Sequence, residues 1–136
     1  MEGTMTSATK KYRKPYLLIS AVGLLPVALS YGVVPELSLN WLFGITTELP
    51  NETHIFRAVM GLYLALVSLW ALGGINERYE RAAIVSEVFF MSGLALGRIL
   101  SLLVDGWPHW LLVTYTVLEV ILAFVGIVLL RRWEAE

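Results

Sequence analysis

The chain has 136 residues, 57% of them hydrophobic, with 10 Lys and Arg against 11 Asp and Glu for a net charge of -1, and a mean hydropathy of +0.71. An apolar fraction this high makes lipid the solvent for much of the surface. The near-neutral charge gives no support to nucleic-acid binding, and the lack of cysteine excludes disulfides, thiolate chemistry and Cys-ligated metal or iron–sulfur centres.

Residues 1–8 are small and polar and read as a disordered lead. Lys10, Lys11, Arg13 and Lys14 then precede the first apolar run, 16–34. A basic cluster, a short apolar stretch and Ala28-Leu29-Ser30 also resemble a cleavable signal peptide, although this run is longer than a usual signal core. The connection 35–54 is unusually long for a small bundle, and such loops are more often functional than connective. Its apolar centre, Leu39-Asn40-Trp41-Leu42-Phe43, is expected to lie in the interface or to fold over the bundle mouth.

The second run, 55–75, ends in Gly73-Gly74 and passes through a tight turn containing Arg78 and Arg81 into the third, 82–104. Asp105-Gly106-Trp107-Pro108 is a turn whose proline is expected to open the fourth run, 110–130. Arg131 and Arg132 follow it. About 20 apolar residues cross a hydrocarbon core of about 30 Å, and backbone groups in lipid must be satisfied within the segment. The sequence therefore predicts an all-α membrane protein, one domain over residues 1–136, folded as an antiparallel up-down bundle of four transmembrane helices. With an even number of spans, all three basic groups fall on one side. The connections 35–54 and 105–109 carry no Lys or Arg, so both termini are expected in the cytoplasm. Trp41, Trp107, Trp110 and Trp133 flank the spans as interfacial anchors.

Four ionisable residues fall within or at the edge of the spans: Arg57, Glu87, Arg98 and Glu119. Charge at membrane depth costs about 2.5–3.5 kcal/mol on insertion scales, so such groups face the interior and find partners. At 1.5 Å of rise per residue, Arg57 opens its helix at the outer edge, Arg98 lies ~9 Å below the outer end, and Glu119 lies ~14 Å down its helix. Glu87, Met91, Leu94, Arg98, Ser101 and Asp105 form one stripe of the third span at steps of four and three. Thr116, Glu119, Ala123 and Gly126 form another on the fourth, and Arg57, Gly61, Leu64 and Ser68 a third on the second. Glu119 is the natural counter-charge for Arg98, with Arg57 close enough in depth to share it. Glu87, near the cytoplasmic end, reads as a snorkelling or interfacial residue.

Two readings of this cluster stay open. It can fix helix register and order without doing chemistry, or it can hold a ligand. The ligand-binding set is then Arg57, Arg98, Glu119 and Ser101, with Trp41 and Phe43 covering the mouth. Glu52, His54, Asp105 and His109 add an outer polar mouth, but none is spaced as a helical metal-ligand pair, and no metal is assigned. Gly61, Gly93 and Gly97 are read as close helix contacts, with a dimer seam as the alternative for the Gly-x-x-x-Gly pair. Enzyme signatures are absent, so catalysis is not the leading reading, and no cofactor follows from the residues.

The run 54–130 resembles a bacterial four-helix membrane family catalogued as domain of unknown function 4345. The likeness rests on Arg57-Ala58-Val59-Met60-Gly61-Leu62-Tyr63, on Gly97-Arg98-Ile99-Leu100-Ser101 through Asp105-Gly106-Trp107-Pro108, on Leu118-Glu119, and less specifically on Leu42-Phe43-Gly44. A looser similarity to DoxX-like membrane proteins is also visible. The resemblance implies the same four-span architecture and a bacterial inner membrane, and it carries no agreed activity. The leading expectation is a small bundle that binds a lipid-like, quinone-like or isoprenoid-like molecule at an outward-facing Arg/Glu site. The alternatives are an accessory or assembly subunit of a larger membrane complex, or a homodimer, and thirdly a small proton-coupled transporter.

Overall fold

The computed structural model describes residues 2–47 and 50–135, with side chains from Thr9 onward. Five helices follow one another: α1 (Glu2–Gly32), α2 (Pro35–Phe43), α3 (Pro50–Ile75), α4 (Glu77–Val104) and α5 (Trp110–Glu134). Four of them, α1 and α3–α5, are long and apolar enough to cross a membrane. At 1.5 Å per residue α3–α5 run roughly 37–42 Å, which covers the hydrocarbon and reaches into both headgroup layers. The expected disorder of residues 1–8 falls outside the described side chains, while the backbone is helical from Glu2.

The long helices alternate in direction and close a ring in which α1 packs along α3, α3 against α4, and α4 against α5. Between neighbours in the ring, α1 and α5 touch most sparsely, which leaves a loose seam there. The core is drawn mainly from α1 (Leu17, Ala21, Leu24 and Ala28) with Tyr63, Trp70, Ile84 and Met91 from the facing helices. A first helix that supplies this much of the core is a structural element of the bundle.

The expected connections shift in detail. Gly73 and Gly74 lie inside α3, where a Cβ on Gly73 would collide with the Ala83 side chain, and one on Gly74 would come within 2.6 Å of the Leu18 side chain. They serve close helix approach, and the turn itself is the single residue Asn76, whose Oδ1 accepts from the Arg78 N–H at 3.0 Å. Pro108 does not open the fourth helix. His109 is its N-cap, with Nδ1 accepting from the Leu111 N–H at 3.3 Å. The long outer connection holds α2, which starts on Pro35 and ends at Gly44 in the left-handed region, φ 69°. Leu39 and Pro35 bury α2 against the bundle.

The glycines expected to carry helix packing do not do so. Gly61, Gly93 and Gly97 face outward, with nothing within 4 Å of a Cβ placed on any of them. The close approaches occur at Gly32, Gly73, Gly74 and Gly126. A Gly-x-x-x-Gly pattern marks a face that a backbone could approach, and among the described residues nothing approaches Gly93 or Gly97.

The basic end is more than a set of topological charges. Arg13 is buried, approaches Glu80 at 4.0 Å and lies 3.8 Å from the Trp133 ring centroid, tying α1 to α4 and α5. Lys10 and Lys14 reach Glu77 at 3.5 and 3.6 Å, and Arg81 reaches Glu134 at 3.5 Å. These exposed pairs are worth little individually.

Candidate functional site

Arg98 on α4 and Glu119 on α5 meet inside the bundle. The Arg98 Nε donates to both Glu119 carboxylate oxygens, at 3.0 and 2.9 Å. The two side chains are only 21% and 9% exposed. Ionised donors and acceptors make short, strong hydrogen bonds, and each partner supplies the counter-charge that makes the other tolerable in a low-dielectric interior. The two stripes that carry these residues face each other because α4 and α5 are antiparallel neighbours.

Aromatic side chains surround the pair. Tyr31, from the end of α1, stands beside the guanidinium, and the Tyr115 ring centroid lies 5.9 Å from the Arg98 Cζ. Tyr63 packs edge-on to Tyr31 at 5.5 Å and to Phe90 at 5.1 Å. Above them Phe43, the last residue of α2, contacts Tyr31, His109 and Tyr115, each with ring centroids 6.4 Å apart. Phe43 therefore closes the α2 end of the site. Trp41 does not share that role: it is 85% exposed. Positions two apart on a helix point about 200° from one another, so α2 can turn only one of the two rings inward.

Beneath the pair lies a cavity of about 270 Å³, walled by Leu24, Met91, Leu94 and Leu122, with Arg98 and Glu119 as its charged groups. Tyr63 and Tyr115 also line it. A mostly apolar concavity with a few convergent polar groups is the usual form of a small-molecule site.

Other residues expected at the site lie elsewhere. Arg57 is exposed, and its Nε donates to the Gly32 carbonyl at 3.3 Å. It thus satisfies a carbonyl at the end of α1, where a helix leaves acceptors unpaired. Ser101 donates to Asp105 at 2.7 Å, one turn outward of Arg98 on an exposed stretch. Asp105 is the C-cap of α4, His109 the N-cap of α5, and His54 is exposed on the first turns of α3. These three do not converge, and among the described residues no group of three His, Asp or Glu could hold a metal ion.

Glu87 reverses its expected role. It is fully buried in the bundle, on the side where Tyr16 and Ser20 of α1 reach it. Ser20 and Tyr16 are its nearest polar neighbours, yet neither carboxylate oxygen completes a well-formed hydrogen bond. The Tyr16 hydroxyl is committed to the Leu122 carbonyl at 2.7 Å. Glu87 stood on the Arg98 stripe in the sequence, and that register was the available signal. No motif distinguished Tyr31, Tyr63 or Tyr115, because their importance depends on which helices become neighbours.

The sequence profile of a domain of unknown function (DUF4345) matches residues 13–130. No curated protein and no solved structure matches the chain.

Proposed function

We propose that this chain, which belongs to the DUF4345 family, is a multi-pass membrane protein binding a lipid-like, quinone-like or isoprenoid-like molecule at Arg98 and Glu119. The observation that carries the reading is the placement of this ion pair on the wall of an apolar cavity. A pair serving helix register alone has no need of an adjoining void, whereas a ligand site needs both apolar walls and fixed polar groups. Both termini are assigned to the cytoplasm of a bacterial inner membrane, because the basic residues at 10–14, 78–81 and 131–132 lie outside the same ends of the spans.

The test is native mass spectrometry of protein extracted in mild detergent. The expected result is a discrete bound small molecule whose occupancy falls about tenfold, equivalent to 1.4 kcal/mol, in Arg98→Met. Arg98→Met/Glu119→Leu removes both charges together and separates ligand loss from the cost of an unpaired one. Unchanged occupancy in the double variant refutes the assignment.

A second reading, an accessory subunit or homodimer, is favoured by the outward-facing Gly93 and Gly97. Under that reading Gly93→Leu releases a partner recovered with the wild type by cross-linking. A wild-type chain that remains monomeric and uncross-linked counts against it.

A further inference from the structure

The cavity is not sealed towards the lipid. It opens along the loose seam between α1 and α5, where Ile19, Gly23, Leu118 and Ile121 line it and are exposed on the outside of the bundle. A Cβ on Gly23 would meet nothing within 4 Å, so this glycine leaves open space at the seam and mediates no close contact. Below the opening, an apolar groove of about 490 Å³ continues between the same two helices towards Arg132. Ile19 and Leu122 line both spaces and make them neighbours. From Leu122 to Arg132 the groove follows α5 for about 15 Å of helix rise.

Volume and charge narrow the ligand. At about 270 Å³, the cavity lies below the ~300–1,000 Å³ usual for enclosed ligands. It has room for a compact head, and an attached long tail must pass out through the seam. Arg98 is already matched by Glu119, and Arg57, the other cation expected here, is spent on the end of α1. The site therefore holds one cation and one anion and has no unmatched positive charge for an anionic head. Glu87, buried behind the cavity-lining Ser20, adds a second carboxyl and no cation.

We infer that the site is loaded sideways from the bilayer through the α1–α5 seam at Gly23, and that it takes a molecule with a compact, uncharged, oxygen-bearing head and a single long apolar tail. The head lies against Arg98, Glu119 and Tyr115, and the tail follows the groove between α1 and α5. This rests on the proposed ligand-binding reading and goes beyond it in naming the entrance and excluding anionic heads.

The probes are farnesol and farnesyl phosphate, which share a tail and differ in head charge, added to the full chain in nanodiscs. Farnesol is expected to bind about tenfold more tightly than the phosphate. Gly23→Phe and Ile121→Trp, which fill the two sides of the entrance, are each expected to weaken farnesol binding about tenfold. Gly61→Phe, on an equally open surface away from the seam, leaves it unchanged. Helical content by circular dichroism confirms that each variant is folded.

Binding of the phosphate as tight as or tighter than farnesol, or no binding of either probe, overturns the uncharged-head assignment. Equal behaviour of Gly23→Phe and Gly61→Phe overturns the entrance. If the co-purified molecule still depends on Arg98 and Glu119 while the phosphate outcompetes farnesol, the cavity stands as a ligand site and only this inference fails. A wild type that carries no co-purified molecule and binds neither probe brings down both.

Discussion

Replacing Glu119 with Leu leaves the Arg98 guanidinium with no carboxylate, although its Nε now donates to two oxygens at 3.0 and 2.9 Å. Breaking one partner of a buried pair costs about 3–5 kcal/mol, and a lone Arg at membrane depth costs about 2.5–3.5 kcal/mol on insertion scales. Arg98 retains 21% exposure, so the lower part of the first range applies, and the expected loss is about 3 kcal/mol. Glu119→Gln keeps a neutral acceptor for Nε and should lose roughly half as much, ~1.5 kcal/mol. Arg98→Met strands the carboxylate and should again lose about 3 kcal/mol. Arg98→Met/Glu119→Leu removes both charges and should lie within about 1 kcal/mol of wild type, giving a coupling of several kcal/mol. The assay is equilibrium unfolding in mixed micelles, followed by circular dichroism, for the wild type and all four variants. Single losses below about 1 kcal/mol, or a double variant that simply sums the singles, would show that the pair is not buried together as described.

Two further outcomes follow from the packing and a third from the basic residues. Gly126→Leu should cost about 1–3 kcal/mol in the same assay, because even a Cβ there comes within 2.5 Å of the Tyr16 hydroxyl and a Val88 methyl; Gly93→Leu, facing open space, should leave unfolding unchanged. Trp70→Phe keeps the ring contact with Phe90 but removes the Nε1 donor to Ser86 at 3.1 Å, and should lose about 1 kcal/mol. On the proposed orientation, a fluorescent protein fused after residue 136 should fold and fluoresce on the cytoplasmic side; a dark fusion paired with an active periplasmic reporter would reverse the orientation.

Residue chemistry was enough to read four spans, because a run of some 20 apolar residues has few stable alternatives in lipid. The same patterning placed Arg98 and Glu119 on facing stripes, since helical pitch makes residue spacing into direction. It misread Arg57, Ser101 and Trp41, whose position on a helix could be calculated but whose neighbours could not. Arg57 lies at the right depth for the site, yet the Gly32 carbonyl is closer to hand. Ser101 shares the Arg98 stripe, yet sits one turn further out beside Asp105. Glu87 misled in the opposite direction: depth along its own helix marked it as interfacial, and the tertiary packing that sets it beside Tyr16 and Ser20 buries it.

The sequence by itself determined the solvent, the number of crossings and the list of charges that need partners, because these follow from local composition and a fixed helical rise. Only tertiary structure decided that α1 lies closely along α3 and loosely against α5. Two consequences depend on that uneven closure: Tyr31 and Tyr63 beside the ion pair, and a cavity opening on the α1–α5 seam. Both arise from contacts between residues far apart in the chain, and the apolar periodicity of each helix is compatible with several such neighbours.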